Sequence, residues 1–172
     1  MSLNDILKQI DLQKMPPVDL WNPEYCGDID IEILRDGQWR HEGDIIHRQR
    51  MVELFASVLK KEGENYFLVT PAEKLKITVE STPFIAVSAE YVGNTWVVTN
   101  NLGQRQTLND LNPLTIRDGH DPIMLWRNGL PARIHQNLMY QWQMYALDNQ
   151  TSEKNATLYL SSGASRFELG KL

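Results

Sequence analysis

The sequence has a single cysteine, no strongly basic segment and no long apolar run. One cysteine cannot form an internal disulfide, which favours a reducing compartment. The 172 residues carry a net charge of −5, so the chain lacks the excess of basic residues that binding to a nucleic-acid backbone requires. No stretch is apolar enough to span a membrane, and the N-terminus shows no signal-peptide pattern. We therefore expect a cytoplasmic protein that binds no nucleic acid and inserts in no membrane.

Several catalytic and cofactor signatures are also missing. The phosphate-binding P-loop, the dinucleotide fingerprint and the Gly-x-Ser-x-Gly nucleophile elbow do not occur. The histidines and acids do not follow zinc or EF-hand spacing, so we expect no metal and no cofactor. Cys26 with His41 or His47 is a conceivable nucleophile and base, but no known catalytic-cysteine signature surrounds it. We expect a protein without catalytic residues, and a small cysteine-dependent enzyme stays an alternative.

An acidic strand and a turn signal form the most informative stretch of the chain. Acidic residues alternate with isoleucine over residues 28–33, which predicts a strand with one acidic and one apolar face. Asp36-Gly37 then predicts a hairpin. With a two-residue turn, Leu34 faces Trp39 and Glu32 faces His41. Trp39 and His41 would then lie on the acidic face.

Further patterns predict an α+β chain. An apolar stripe with helical spacing predicts a helix over residues 47–61, and a second helix is expected from Pro131, in its first turn, to Leu147. Short alternating segments predict strands between residues 66 and 127 and a closing hairpin around Gly163. Ser2 and Asp5 resemble a capping box that opens a helix over residues 2–10.

The chain also contains signs of an internal duplication. A fixed offset carries Leu34–Gly37 onto Ile116–Gly119 and residues 48–61 onto residues 130–143, which belong to the second predicted helix. We expect two related small α+β domains, each an antiparallel sheet packed with one helix. The first spans residues 1–82 with the leading helix, and the second spans residues 83–172.

A ligand site is expected in the cleft between these halves. The acids would accept hydrogen bonds from ligand donor groups, Trp39 would stack, and Arg48 and Lys74 would meet an anionic part of the ligand. The alternative is that these cations only pair with neighbouring acids and balance charge. The candidate ligand-binding residues are Asp28, Asp30, Trp39, Arg48, Thr70, Glu73, Lys74, Thr99 and Asn100.

Several strings resemble one uncharacterised, mainly proteobacterial family, catalogued as domain of unknown function 1285. The resemblance covers residues 18–147, and His41 and Ser81-Thr82 depart from the pattern. The strings are Trp21-Asn22-Pro23, Cys26-Gly27-Asp28-Ile29-Asp30, Asp36-Gly37-Gln38-Trp39, Leu54-Phe55, Val58-Leu59, Tyr66 to Pro71, Glu73-Lys74 and Pro83-Phe84.

The resemblance implies more than the residues do by themselves. It implies a duplicated two-domain α+β core whose second half is loosely similar to pleckstrin-homology-like folds. It also implies an interdomain site for a nucleotide-type molecule and a role in signal transduction. A protein-interaction module without a small ligand is the remaining alternative, and no particular protein partner is indicated.

Overall fold

The computed structural model describes residues 15–149 and 157–171. The chain divides into two compact units, Met1–Ser81 and Thr82–Leu172. The predicted helix over residues 2–10 lies outside the described residues. Of the helices that the structure describes, none is long and apolar enough to cross a membrane.

Within its described residues, the first unit is a six-stranded sheet with one α-helix. A short 3-10 turn, Val18–Leu20, precedes it. The strand order is β3-β2-β1-β6-β5-β4, so two three-stranded meanders join through a parallel pair of β1 and β6. The elements are β1 (Tyr25–Ile33), β2 (Trp39–His41), β3 (Asp44–Ile45), α1 (Gln49–Ser57), β4 (Leu59–Glu62), β5 (Asn65–Val69) and β6 (Lys74–Val79).

The described part of the second unit contains another six-stranded sheet, one α-helix and a two-stranded hairpin. Its sheet order is β10-β11-β12-β7-β8-β9, with β7 parallel to β12. A 3-10 turn, Arg127–Gly129, precedes β12. The elements are β7 (Phe84–Val92), β8 (Thr95–Asn100), β9 (Arg105–Thr107), β10 (Leu114–Arg117), β11 (Asp121–Leu125), β12 (Pro131–Ile134), α2 (Gln136–Asn149), β13 (Thr157–Ser162) and β14 (Ser165–Lys171). The predicted closing hairpin around Gly163 is confirmed.

Both sheets have the same topology, so the α+β fold is a duplicated one. In each, the first strand of one meander pairs in parallel with the last strand of the other, and all remaining pairs are antiparallel. The predicted repeat, however, aligns two turns that do not correspond in the two sheets. Leu34–Gly37 leads into β2, whereas Ile116–Gly119 leads from β10 into β11, which corresponds to the turn between β4 and β5. The duplication resides in strand order and not in that four-residue match.

The hairpin between β1 and β2 has a three-residue turn instead of the predicted two. Leu34 donates its N–H to the Gln38 oxygen, and Gly37 donates to the Leu34 oxygen. Gly37 has φ of 89°, so only the glycine, and not Asp36, takes the left-handed conformation. The observed register pairs Ile33 with Trp39. A one-residue slip moves every side chain of a strand to the other face, so the predicted position of Trp39 on the acidic face is wrong.

The two predicted helix boundaries also need correction. The first helix ends at Ser57, because the chain from Leu59 pairs with β5 and becomes β4. Pro131 is not a helical residue but begins β12, where it opposes Leu125. The first residue of a strand tolerates the missing N–H of proline as well as a helix start does. The local sequence pattern is compatible with helix or strand at both places, and the pairing with neighbouring strands decides between them.

Aromatic contacts join each helix to its own sheet. Phe55 of α1 stacks on Trp39, with ring centroids 6.3 Å apart. Trp142 of α2 meets Trp96 edge to face at 6.1 Å. The side chain of Ser162 accepts from the backbone N–H of Trp96 and donates to the backbone oxygen of Leu108, which fixes the last hairpin to the second sheet. Buried aromatic rings supply much of the apolar area of such small cores.

Candidate functional site

The face of the first sheet opposite α1 carries a row of charged and aromatic side chains. Asp28 pairs with Lys76 across β1 and β6, Lys76 pairs with Phe67 on β5, and Phe67 pairs with Lys60 on β4. Directly opposed residues of paired strands project from the same face of the sheet. The name "charged row" is used for Lys60, Glu62, Phe67, Lys74, Lys76, Tyr25 and Asp28.

Lys74 holds the centre of the charged row. Its side chain is only 12% exposed, forms an ion pair with Glu62 and lies over the Phe67 ring at 4.6 Å. Lys60 lies 3.5 Å from Glu62 and donates to the Trp21 backbone oxygen at 2.9 Å. The hydrogen bond from Lys74 lowers the pKa of Glu62, and the charges of both lysines add to that effect. Lys74 is therefore paired within the sheet, and its predicted contact with an anionic part of a ligand stays a prediction.

Tyr25 and Asp28 form the exposed end of the charged row. The Tyr25 hydroxyl donates to the Asp28 carboxylate, which raises the pKa of the phenol. The tyrosine is 57% exposed and meets the edge of Phe67 at 6.2 Å. A register shift at Gly27, whose φ is 119°, brings Tyr25 opposite Lys74 and onto the same face as Asp28. The bulge thus places an open aromatic ring beside a carboxylate.

The sequence pattern does not predict that Tyr25 and Lys76 lie beside Asp28 on this face. Strict alternation back from Asp28 assigns Cys26 to the acidic face and Tyr25 to the apolar one. The one available signal was Gly27, because a glycine inside a strand often marks a bulge. Lys76 alternates with buried residues on β6, but only the register shows that it opposes Asp28.

Trp39 and Asp30 occupy different environments. Trp39 is 1% exposed, and its Nε1–H is buried without a hydrogen-bond partner among the described residues. In this conformation its ring belongs to the core. Asp30 is exposed, and its backbone oxygen accepts from the Glu42 N–H at 3.1 Å. Of these two predicted residues, only Asp30 has its side chain open to solvent.

Arg48, Thr70 and Glu73 lie at two different turns of the first unit. Arg48 is exposed and precedes α1 in an extended conformation. Thr70 is buried, and its hydroxyl accepts from the Glu73 N–H at 3.1 Å, so it holds the turn between β5 and β6. One carboxylate oxygen of Glu73 is buried without a partner within residues 15–149 and 157–171. The predicted ligand contacts of Arg48, Thr70 and Glu73 stay predictions.

Thr99 and Asn100 end strand β8 of the second unit. Asn100 is 1% exposed, and its Oδ1 accepts from the N–H groups of Leu102 and Gln104, each at 3.0 Å. Its side chain therefore shapes the turn before β9. Thr99 is half-buried and opposes Ser88 on β7. Their predicted share in ligand binding stays a prediction.

Arg127 lies beside the same turn of the second unit. Its guanidinium donates to the Gln104 side-chain oxygen at 2.7 Å and lies 5.2 Å from the centre of the Phe84 ring. Burial lowers the pKa of Arg127 to about 10. The side chain joins the turn after β8 to the one before β12.

Cys26, the nucleophile of the alternative enzyme hypothesis, makes a hydrogen bond only to the backbone among the described residues. The thiol is exposed and donates to the Glu24 backbone oxygen at 3.1 Å. Within the part of the chain that the structure describes, no hydrogen bond joins it to a histidine. In the same residues, no group of three or more His, Cys, Asp or Glu side chains is arranged to hold a metal ion.

Comparison with known families gives matches over both units. A model described as the N-terminal domain of the domain of unknown function DUF1285 matches residues 16–82. A model described as the C-terminal domain of the protein of unknown function DUF1285 matches residues 83–169. No curated protein matches the sequence.

Two crystal structures are similar to this chain. A DUF1285 family protein from Silicibacter pomeroyi DSS-3 is 33% identical, with a TM-score of 0.86 over 99% of this chain and 96% of that one. A DUF1285 family protein from Shewanella baltica OS155 is 24% identical, with a TM-score of 0.57 over 66% of this chain and 89% of that one. The second likeness concerns the fold alone.

Proposed function

The chain belongs to the DUF1285 family, and from that premise we propose that it is a non-enzymatic cytoplasmic protein that binds a nucleotide-type small molecule. The charged row is the part of the first unit on which the proposed site is based. The proposed role in signal transduction rests on the family resemblance alone.

The observation that carries the proposal is the exposed Tyr25 ring beside the Asp28 carboxylate, with Lys76 across the strand pair. A flat exposed ring offers a stacking surface for a base. A carboxylate accepts hydrogen bonds from ribose hydroxyls or base amines. A lysine supplies positive charge for a phosphate. Tyr25 thus takes the stacking role first expected of Trp39.

The local charge balance limits the ligand. Asp28 and Asp30 both lie exposed on this face, and Glu32 on the same face is paired with Arg40. Lys74 is paired with Glu62, whereas Lys76 has no ion pair among the described residues. These two carboxylates have no ion pair among the described residues, so they repel a highly charged phosphate chain. The ligand class that fits is a nucleoside or a nucleoside monophosphate, not a triphosphate.

A thermal-shift and calorimetry screen of nucleosides and their mono-, di- and triphosphates tests the proposal. A bound compound at a hundred times its Kd stabilises the folded state by about 2.7 kcal/mol. We expect binding by a nucleoside or monophosphate, weakened about tenfold or more in Tyr25→Leu and in Asp28→Asn.

Asp44→Asn is the matched control, because Asp44 is an exposed strand acid at the far edge of the same sheet. It should leave the affinity unchanged. Binding that is equal in Asp28→Asn and the parent, or no shift with any compound, would refute the site.

A further inference from the structure

Helix α2 has two apolar faces, and among the described residues only one of them is buried against the rest of the second unit. Leu138, Trp142 and Ala146 are buried beneath the helix. On the other side, Tyr140, Met144 and Leu147 are 65%, 41% and 45% exposed. Positions i, i+4 and i+7 of a helix form one straight stripe. We call these three residues the outer stripe.

The outer stripe differs from the scattered exposed apolar residues of an ordinary surface. Asp148 is the one charged residue among residues 136–149 of α2, whereas 23% of the whole chain is charged. A scarcity of charged residues, together with exposed tyrosine and methionine, is typical of the central part of protein interfaces. The exposed side of α1, by comparison, begins with Gln49 and Arg50.

From this surface we infer that the outer stripe is the contact between two copies of this chain, formed by an antiparallel pair of α2 helices about a two-fold axis. The inference is independent of the ligand site. In such a pair with the axis between Gln143 and Met144, Tyr140 packs on Leu147 of the second copy, and Leu147 packs on its Tyr140. The three-residue and four-residue spacings are those of helix ridges that interlock.

The charges favour a second copy over an acidic or basic partner. A net charge of −5 opposes self-association, but the outer stripe itself brings no like charges together. Asp148 lies in the last turn of α2, so an antiparallel copy brings it towards the helix start of its partner. A helix N-terminus carries a partial positive charge that attracts a carboxylate. Each end of the antiparallel contact therefore gains a favourable electrostatic interaction. A parallel pair would instead put the two Asp148 residues side by side, where they repel each other.

The small size of the stripe predicts a weak dimer. Three partly exposed side chains cover far less than the roughly 800 Å² per partner of a standard interface. We expect association in the micromolar range or weaker, on the order of 10–1000 µM. Sedimentation equilibrium of the full chain over that range should show a reversible monomer–dimer equilibrium.

Two matched variants test whether the outer stripe is the contact. Met144→Glu places like charges at the axis and should weaken dimerisation at least about tenfold. The substitution exchanges one good helix former for another on an exposed position, so folding is retained and circular dichroism checks it. Val92→Glu adds the same charge to an exposed apolar residue of β7 and should leave the equilibrium unchanged. A parent that is monomeric throughout, or a dimer indifferent to Met144→Glu, overturns the inference.

Cross-linking tests the antiparallel orientation. In a Cys26→Ser background, a mixture of Tyr140→Cys and Leu147→Cys proteins should oxidise to mixed disulfides, while each alone cross-links little. Disulfides need Cα atoms within about 7 Å, which only opposed positions reach. Self-linking of each single variant would indicate a parallel pair. If the parent is monomeric and Met144→Glu abolishes its binding to a different protein, the outer stripe binds that partner. Self-pairing is then rejected.

Discussion

The two units share a strand order but differ in where the helix enters the chain. In the first unit α1 lies between the two meanders, and in the second α2 follows both of them. Each helix still packs on its own sheet through an aromatic pair, Phe55 on Trp39 and Trp142 on Trp96. The difference shows that the sheet topology, and not the position of the helix in the sequence, is the duplicated part.

The outer surfaces differ as well. In the first unit the sheet face opposite α1 carries the charged row. In the second, the hairpin of β13 and β14 is fixed to the sheet, and the exposed side of α2 is apolar. Similar sheets therefore present a polar surface in one unit and an apolar helix stripe in the other. We connect the first with ligand binding and the second with self-association.

The largest effect should come from the two buried tryptophans. Trp142→Ala and Trp39→Ala each leave a large cavity beneath a helix and should each cost about 3–5 kcal/mol of unfolding free energy. Urea denaturation measures the loss. Equal costs would show that both helices depend on their aromatic pair to the same degree, whereas a loss below about 1 kcal/mol in one unit would break the parallel.

The phenylalanine variants are the controls for that experiment. The Nε1–H groups of both tryptophans are buried without a partner among the described residues. Replacing each tryptophan by phenylalanine keeps an aromatic ring and removes a buried donor that has no partner among the described residues. Trp142→Phe and Trp39→Phe should therefore lose much less stability than the alanine variants.

The next effect concerns the polar residues that close one turn in each unit. Asn100→Ala leaves two backbone N–H groups without their acceptor and should cost about 2–4 kcal/mol. Thr70→Val removes one acceptor from the Glu73 N–H, keeps the shape and should cost about 1 kcal/mol. Urea denaturation of both variants beside the parent measures the two losses of unfolding free energy. A larger loss in Thr70→Val than in Asn100→Ala would mean that these side chains do not act through their turns.

The smallest effect is a pH-dependent one in the charged row. Glu62→Gln should cost less than about 1 kcal/mol near pH 7, because its ion pairs are partly exposed. The folded state lowers the pKa of Glu62 below its ordinary value of about 4.5. Its contribution is therefore present above pH 4.5 and is lost as the pH falls through the folded pKa. Parent and variant should differ at pH 7 and converge at low pH, and a gap that widens on acidification would contradict the assignment.

Sequence patterns predicted the class of fold well, and they predicted the positions of the candidate side chains only in part. Alternation of isoleucine with acids along β1 identified the strand and its acidic face, because that periodicity depends on local geometry. The turn after β1 was one residue longer than predicted, which moved Trp39 into the core. The bulge at Gly27 moved Tyr25 the other way, onto the charged row. Both shifts are one residue in size, and each reverses a side chain's face.

The sequence by itself determined the α+β class, the alternating faces and the family of this protein, since these follow from local periodicity and from short matching strings. Only the tertiary structure decided that the two sheets match strand for strand, that Lys74 is held by Glu62 and that α2 keeps a second apolar face exposed. Those facts depend on which distant strands pair and in what register. Pairing between residues far apart in the chain is set by the packing of the whole unit, which no local pattern contains.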